Sequence, residues 1–161
     1  MPILHSNKAL RSLRKTPVIL DVLIGDLTQE QAVAATDGPN GWSVLEIVCH
    51  LADLEVIFFE RARMLLENDH PRFPNVDQLA LVQANDYAGQ DIHEAFERYL
   101  ARRRKFITFL EGLDDVGWAR EGEHPQTGAT TMLTLAINTA LHDVNHIEQI
   151  ASALAASDVH V

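Results

Sequence analysis

The fold is decided by the stretch WSVLEIVCHLADL, which spans residues 42–54. Ser43 is a favourable N-cap residue, and Glu46 follows three positions later, so the two can form a capping box that starts a helix. Apolar residues then recur at helical spacing. The pattern predicts a long helix that begins at Ser43 and runs to about Asn68, where the loop-forming residues 69–74 end it.

Three further segments show helical periodicity, at about residues 6–27, 91–113 and 130–156. Residues 75–88 are ambiguous, although residues 78–84 could form a short helix. Thr16 precedes Pro17, and because proline interrupts helical hydrogen bonding we expect a kink or a new helix start there. Since no segment alternates with the period of a strand, the sequence predicts an all-α four-helix bundle, as a single domain over residues 1–161.

The composition limits the partners of this chain. With 161 residues, 47% hydrophobic and 22% charged, it is typical of one globular domain. A net charge of −10 with 13 basic residues argues against nucleic acid as a partner. We interpret the basic run at residues 102–105 as a solvated helix face. The single cysteine, Cys49, fits a reducing compartment, and without a long apolar run or a leader pattern we expect a cytoplasmic protein with no membrane partner.

Histidines supply the candidate chemistry. His142 and His146 are four residues apart, so both imidazoles lie on one face of the last helix. A third imidazole from a facing helix would complete a three-histidine metal site with open positions. His50, which interrupts an apolar run of the second helix, is the candidate, although a lone histidine among apolar neighbours is more often a hydrogen-bonded core residue than a ligand.

The last helix carries two stripes at helical spacing. One is polar but contains no charged residue, which favours a half-buried seam in which each imidazole finds a ligand or a hydrogen-bond partner. On this seam, Asn138, Asn145 and Gln149 could either support a ligand imidazole or contact a substrate or cofactor. The other is apolar and is predicted to face the core; it comprises Leu133, Ala136, Ile137, Ala140, Leu141, Val144, Ile147, Ala151 and Leu154.

Other candidate residues have a plain structural alternative. Asp53, one turn after His50, could orient that imidazole or lie at the surface. We interpret Cys49 as a small core residue rather than a ligand or nucleophile. His124 could reach the site from its loop, but we interpret it as incidental, together with His5, His70, His93 and His160.

Two motifs carry a resemblance to a known family. Residues 42–53 resemble the second helix of DinB/YfiT-like proteins, and residues 142–150, HDVNHIEQI, resemble the motif that closes the family's last helix. The similarity extends to the Thr16-Pro17 pair, residues 104–113, Trp118 and Gly128, so it spans nearly the whole chain.

The resemblance implies a four-helix bundle that is commonly dimeric and holds a divalent metal, with Zn²⁺ or Ni²⁺ expected, through three histidines. Carried over onto this sequence, the ligands would be His50, His142 and His146. Some relatives are S-transferases that use a low-molecular-weight thiol such as bacillithiol, mycothiol or glutathione, and some are thiol-dependent isomerases.

Several functions are compatible with these features. The first hypothesis is a metal-dependent thiol S-transferase acting on a small-molecule substrate, with a homodimer as the expected assembly. The second is a non-catalytic metal-binding bundle that serves as a stress-related binding module. A variant of the first is a metal-dependent hydrolase in which the ion activates water. A DNA-binding role would be the third, and the net charge of −10 conflicts with it.

Overall fold

The computed structural model describes the backbone of residues 2–157 and the side chains of residues 5–157, so His160 lies outside the described residues. Within these residues, seven α-helices and two strands follow one another, with a short 3₁₀ helix (Tyr87–Gly89) between α4 and α5: α1 (Pro2–Ile24), α2 (Gln29–Ala34), α3 (Val44–Glu67), α4 (Gln78–Ala84), α5 (Ile92–Glu111), α6 (Asp115–Trp118), β1 (Glu121–His124), β2 (Gly128–Thr131) and α7 (Met132–Ala156).

The four long helices form the bundle. Helix α3 packs against α5 and α7, and α1 packs against α7 and α5. Their apolar faces form two clusters of buried residues, one around Leu20, Leu45 and Tyr99 and one around Leu13, Leu65 and Phe106. The predicted four-helix bundle is therefore confirmed. No helix of the described chain is long and apolar enough to cross a bilayer.

Helix α3 begins as the sequence predicts. The Ser43 hydroxyl accepts a hydrogen bond from the Glu46 amide at 3.2 Å, and the Glu46 carboxylate accepts one from the Ser43 amide at 2.8 Å. This capping box satisfies two amides of the first turn. The prediction of no strands was wrong, because β1 and β2 pair as a short antiparallel hairpin just before α7. Strands of four residues are too short for a clear alternating pattern.

Pro17 lies inside α1 without ending it, so the expected new helix start is wrong. A proline at this position cannot donate to the carbonyl of Leu13, four residues earlier. The Leu13 carbonyl instead accepts a hydrogen bond from Arg103 Nη1 at 3.2 Å. A side chain from α5 therefore takes the place of the missing helical donor.

Arg103 is only 1% exposed, so the basic run is not a uniformly solvated face and that interpretation was wrong for this residue. Its guanidinium contacts Glu55 of α3 at 2.6 and 2.8 Å and Asp143 of α7 at 2.6 and 2.8 Å. Thr16 of α1 also donates to Asp143, at 2.7 Å. These side chains form the Arg103 cluster, which joins all four long helices.

The buried face of α7 differs from the predicted apolar stripe. Leu141 and Val144 are 58% and 55% exposed, whereas Thr139 and Asp143 are fully buried. The orientation of α7 about its axis follows from the ion pair, because Asp143 must face inward to reach Arg103. In this orientation, part of the apolar stripe lies at the surface. Periodicity within one helix could not reveal a buried ion pair whose other member lies on α5.

Candidate metal centre

The structure brings His50 of α3 together with His142 and His146 of α7. His142 Nε2 lies 3.4 Å from His50 Nε2 and 3.1 Å from His146 Nε2. Ring nitrogens of all three side chains fall within 4.8 Å of one another. His50 is 2% exposed, and the other two are half-buried. We refer to these three residues as the histidine triad.

The spacing of these nitrogens fits a metal ion. Two ligands held at about 2.0–2.1 Å on one tetrahedral ion lie roughly 3.3 Å apart, which is close to both measured separations. The triad cannot satisfy itself by hydrogen bonds, because a proton on His142 Nε2 can serve only one neighbour at a time. A cation that accepts a lone pair from each of the three rings removes this conflict.

The protonation states also favour ligation. Burial, together with the neighbouring His146 and His142, lowers the pKa of His50 to about 3. Burial, followed by His146, lowers the pKa of His142 to about 4, and burial likewise lowers the pKa of His146. At about pH 7 the three imidazoles are therefore neutral and can each offer a lone pair.

A second layer of hydrogen bonds sets the tautomer of His146. Gln149 Nε2 donates to the Asp37 carboxylate at 2.8 Å, so the other amide atom, Oε1, faces His146 Nδ1 at 2.8 Å. Because Oε1 can only accept, Nδ1 must carry the proton, and the lone pair of Nε2 then points into the triad. Asp37 reaches this position from a turn in which Gly38 adopts φ +79°.

An open cleft of about 470 Å³ exposes the triad to solvent. All three histidines line it, together with Asp37, Trp42, Gln78 and Gln149. The Trp42 ring meets the His50 ring edge-on, with centroids 5.0 Å apart. This ring contact restricts the imidazole, whose Nδ1 has no hydrogen-bond partner among the described residues.

A second, more enclosed cavity of about 230 Å³ lies on the other side of His142 and also reaches Gln78. Arg61, His124 and Asn138 line it with His142. We refer to it as the Arg61 cavity.

The other residues predicted for the site have different surroundings. Asp53 accepts hydrogen bonds from Asn85 and Tyr87 and pairs with Arg102, so it does not orient His50, and that alternative was wrong. Asn145 is exposed and lines neither of the two cavities. Cys49 is buried, with its thiol 3.4 Å from Gln90 Oε1, away from the triad.

Sequence reasoning missed Arg61, although a signal was present. Positions 50, 54, 58 and 61 follow one another by four, four and three residues, so His50 and Arg61 share one face of α3 three turns apart. His124 is brought to the same cavity by the β1–β2 hairpin. Asp37 carried no signal, because its place beside Gln149 depends on how a loop folds back.

The fold and the site together define a class of protein: a helical bundle with a candidate three-histidine metal centre between two of its helices. The sequence matches the family profile described as the DinB superfamily over residues 12–150, and the chain therefore belongs to that superfamily.

A similar protein and a similar solved structure are found, both with chains in the same size range. The chain is 22% identical over 146 residues to "Putative metal-dependent hydrolase OB0782" of Oceanobacillus iheyensis, covering 91% of this chain and 84% of that protein. The fold also matches a solved structure described as "YfiT from Bacillus subtilis is a probable metal-dependent hydrolase with an unusual four-helix bundle topology". That match has a TM-score of 0.85 at 22% identity and covers 94% of this chain and 86% of that chain.

Proposed function

We propose that this protein is a metal-dependent hydrolase of a small molecule, with His50, His142 and His146 as the metal ligands. The observation that carries the proposal is the convergence of three neutral imidazoles at metal-ligand spacing beneath an open cleft. The names of the two relatives, which both describe metal-dependent hydrolases, support it. Zn²⁺ and Ni²⁺ are the ions we expect, since nitrogen ligands suit both.

A divalent ion held by the triad would supply Lewis-acid chemistry, lowering the pKa of a water or thiol nucleophile and polarising the group it attacks. The chain's own residues position this chemistry. Gln149, held by Asp37, keeps the lone pair of His146 directed into the triad. Trp42 and Phe58 pack edge-on against His50 and His142 and restrict both rings.

A thiol S-transferase is the second candidate, with a low-molecular-weight thiol as co-substrate. Among the described residues that line the cleft and the Arg61 cavity, Asp37 is the one carboxylate, and it is bonded to Gln149. No other carboxylate of these linings is placed to act as a general base on water. A thiol has a far lower intrinsic pKa than water, so it would ionise on the metal with less need of a separate base, which favours this chemistry.

The two candidates are separated by one set of assays. Protein purified without an affinity tag and loaded with Zn²⁺ or Ni²⁺ is tested for hydrolysis of p-nitrophenyl acetate and p-nitrophenyl phosphate. It is tested in parallel for transfer of glutathione or cysteine to monochlorobimane. Metal-dependent turnover in one assay, lost in His142→Gln with unchanged circular dichroism, identifies the reaction type. Full metal content with no turnover in any assay contradicts both candidates and favours the non-catalytic binding module.

We also propose that the protein forms a homodimer through α1 and α7. Ile137, Leu141 and Val144 are exposed and line an apolar groove beside Ala9 of α1. Exposed apolar groups of this kind are typical of interfaces between copies of a chain. Sedimentation velocity should give a dimer for the wild type and a monomer for Leu141→Asp; a monomeric wild type contradicts the proposal.

A further inference from the structure

Arg61 is a half-buried cation without a counter-ion. Its Nε is enclosed and has no hydrogen-bond partner, and no salt bridge to its guanidinium exists among the described residues. Arg63, two positions along the same helix, pairs with both Glu60 and Glu67. A desolvated arginine is normally compensated by an anion, so the unpaired charge of Arg61 requires an explanation.

The guanidinium is held in place by its surroundings. Arg61 Cζ lies 5.3 Å from the centroid of the Phe73 ring, a cation–π contact. Burial lowers the pKa of Arg61, with no carboxylate contributing to the shift. An arginine remains charged even when its pKa is lowered. The cavity therefore presents a positive charge that no carboxylate of the described residues compensates.

The lining of the Arg61 cavity selects against cations. None of its lining residues is Asp or Glu, although the chain carries a net charge of −10. Apolar walls from Leu54, Phe58 and Phe73 alternate with uncharged polar groups such as Asn138. This combination of an apolar body with one fixed charge is typical of a pocket for a small organic acid.

His124 adds a neutral hydrogen-bond donor beside this charge. Its Nδ1 accepts a hydrogen bond from the Gln126 amide at 3.2 Å, so the neutral ring carries its proton on Nε2. Burial, followed by the charge of Arg61, lowers the pKa of His124 and favours this neutral form. An anion bound at Arg61 would thus find a second donor in the same wall.

We propose that the Arg61 cavity binds an anionic group of the substrate, a carboxylate or a phosphate, through the guanidinium of Arg61. The cavity shares His142 with the open cleft, so a molecule anchored there would extend its reactive group toward the triad. The assignment of this anion to a substrate rests on the proposed function. The anion site itself does not require a metal ion.

The test uses metal-free wild-type protein labelled with ¹⁵N. The side-chain Nε–Hε resonance of Arg61 is followed by NMR during titration with benzoate, phenyl phosphate and benzamide. Benzamide matches benzoate in size and shape but is neutral. Both anions should shift the Arg61 resonance saturably, and benzamide should bind at least about tenfold more weakly, because a charge-assisted hydrogen bond is lost. The anion that binds more tightly identifies the acid.

Two variants assign the effect to this residue. Arg61→Gln should weaken benzoate binding by about tenfold or more, and Arg61→Lys by less, since the charge remains. Arg104→Gln, which removes an exposed arginine from α5, is the matched control and should stay within about twofold of wild type. Zn²⁺ binding by Arg61→Gln is measured separately and should equal that of the wild type, which shows that the fold and the triad are intact.

The outcomes for the anion site and for the proposed function are distinct. Equal binding of benzoate and benzamide, wild-type affinity in Arg61→Gln, or no shift of the Arg61 resonance would each overturn the anion site. A failure of the triad to bind metal would leave the metal-free titration unchanged and would count against the proposed function alone. If both Arg61 variants fail to fold, the comparison of benzoate with benzamide in the wild-type titration still decides whether the anion site exists.

Discussion

The Arg103 cluster and the histidine triad are two polar groups of one bundle, and they are built in opposite ways. Arg103 donates to two carboxylates and to a backbone carbonyl, and the hydroxyl of Thr16 donates a further hydrogen bond to Asp143. In the triad, His50 Nδ1 and His142 Nδ1 have no partner among the described residues, and three ring nitrogens face one another. The cluster is complete by itself, whereas the triad is complete only with a ligand.

The difference shows how structural and functional polar groups can be told apart within one fold. Asp143 and His142 are adjacent in sequence, yet one side chain closes the cluster and the other opens toward the cleft. A buried polar group whose donors and acceptors all match makes the packing of the core rigid and specific. A buried group with converging, unmatched lone pairs is prepared to bind a cation.

Breaking the Arg103 cluster should have the largest effect on stability. Arg103→Met keeps the volume of the side chain but leaves Glu55 and Asp143 buried without a counter-ion, and we expect a loss of about 3–5 kcal/mol in the free energy of unfolding. Urea denaturation measures it. Arg63→Gln, which removes two exposed surface pairs, is the control and should leave the midpoint nearly unchanged. A wild-type midpoint for Arg103→Met would contradict the account.

Loosening the support of the triad should weaken the metal without unfolding the protein. Gln149→Ala removes the acceptor that holds His146 Nδ1, and we expect Zn²⁺ affinity to fall about 10–100-fold. A competition titration with a chromophoric chelator measures this affinity. Asn145→Ala, on the exposed side of the same helix, should bind Zn²⁺ as the wild type does. Equal affinity in both variants would show that Gln149 does not position the ligand.

The pH dependence of the metal-free protein should report the triad. Folding lowers the pKa of His50 to about 3 and of His142 to about 4, from the ordinary histidine value of 6.5, so below pH 6.5 the unfolded chain binds more protons. The contribution of these two histidines to stability is therefore fully present above about pH 6.5 and is lost as the pH falls toward about pH 4.

Urea midpoints across this range, in the wild type and in a His50→Gln/His142→Gln double variant, isolate the contribution of the histidines from that of the carboxylates. The double variant should show the shallower decline on the acid side. Parallel declines in the two proteins would be inconsistent with buried neutral imidazoles.

Cys49 should show the smallest effect, since it belongs to neither polar group. It is 1% exposed, and burial raises the pKa of its thiol to about 12. At about pH 8 the native protein should leave an aromatic disulfide reagent unreacted, while the denatured protein consumes about one equivalent. Fast reaction of the native protein would place the thiol in contact with solvent.

The fold was predictable where local patterns decide it. Ser43 and Glu46 define the start of α3, and the suggested short helix at residues 78–84 is present as α4. The hairpin and the short helices α2 and α6 were missed because segments of four to six residues carry little periodicity. The continuity of α1 through Pro17 depends on Arg103, a distant donor that no local pattern includes.

The site was predictable in its ligand candidates but not in its surroundings. The spacing of His142 and His146 and the family resemblance indicated the three histidines that the structure brings together. The support from Asp37 and the charge of Arg61 arise from contacts between segments far apart in the chain. Asp53 illustrates the limit: its position one turn from His50 was suggestive, but Tyr87 and Arg102 occupy its carboxylate.

The metal content of the protein tests the central claim most directly. Protein purified without an affinity tag is analysed by mass spectrometry beside His50→Gln, with circular dichroism to verify the fold of both. We predict about one divalent ion per chain in the wild type and less than about a tenth of that in the variant, because two imidazoles on one helix hold an ion far more weakly than three. Absence of metal from the wild type, even after incubation with Zn²⁺ and Ni²⁺, would contradict the account and make the histidines packing residues.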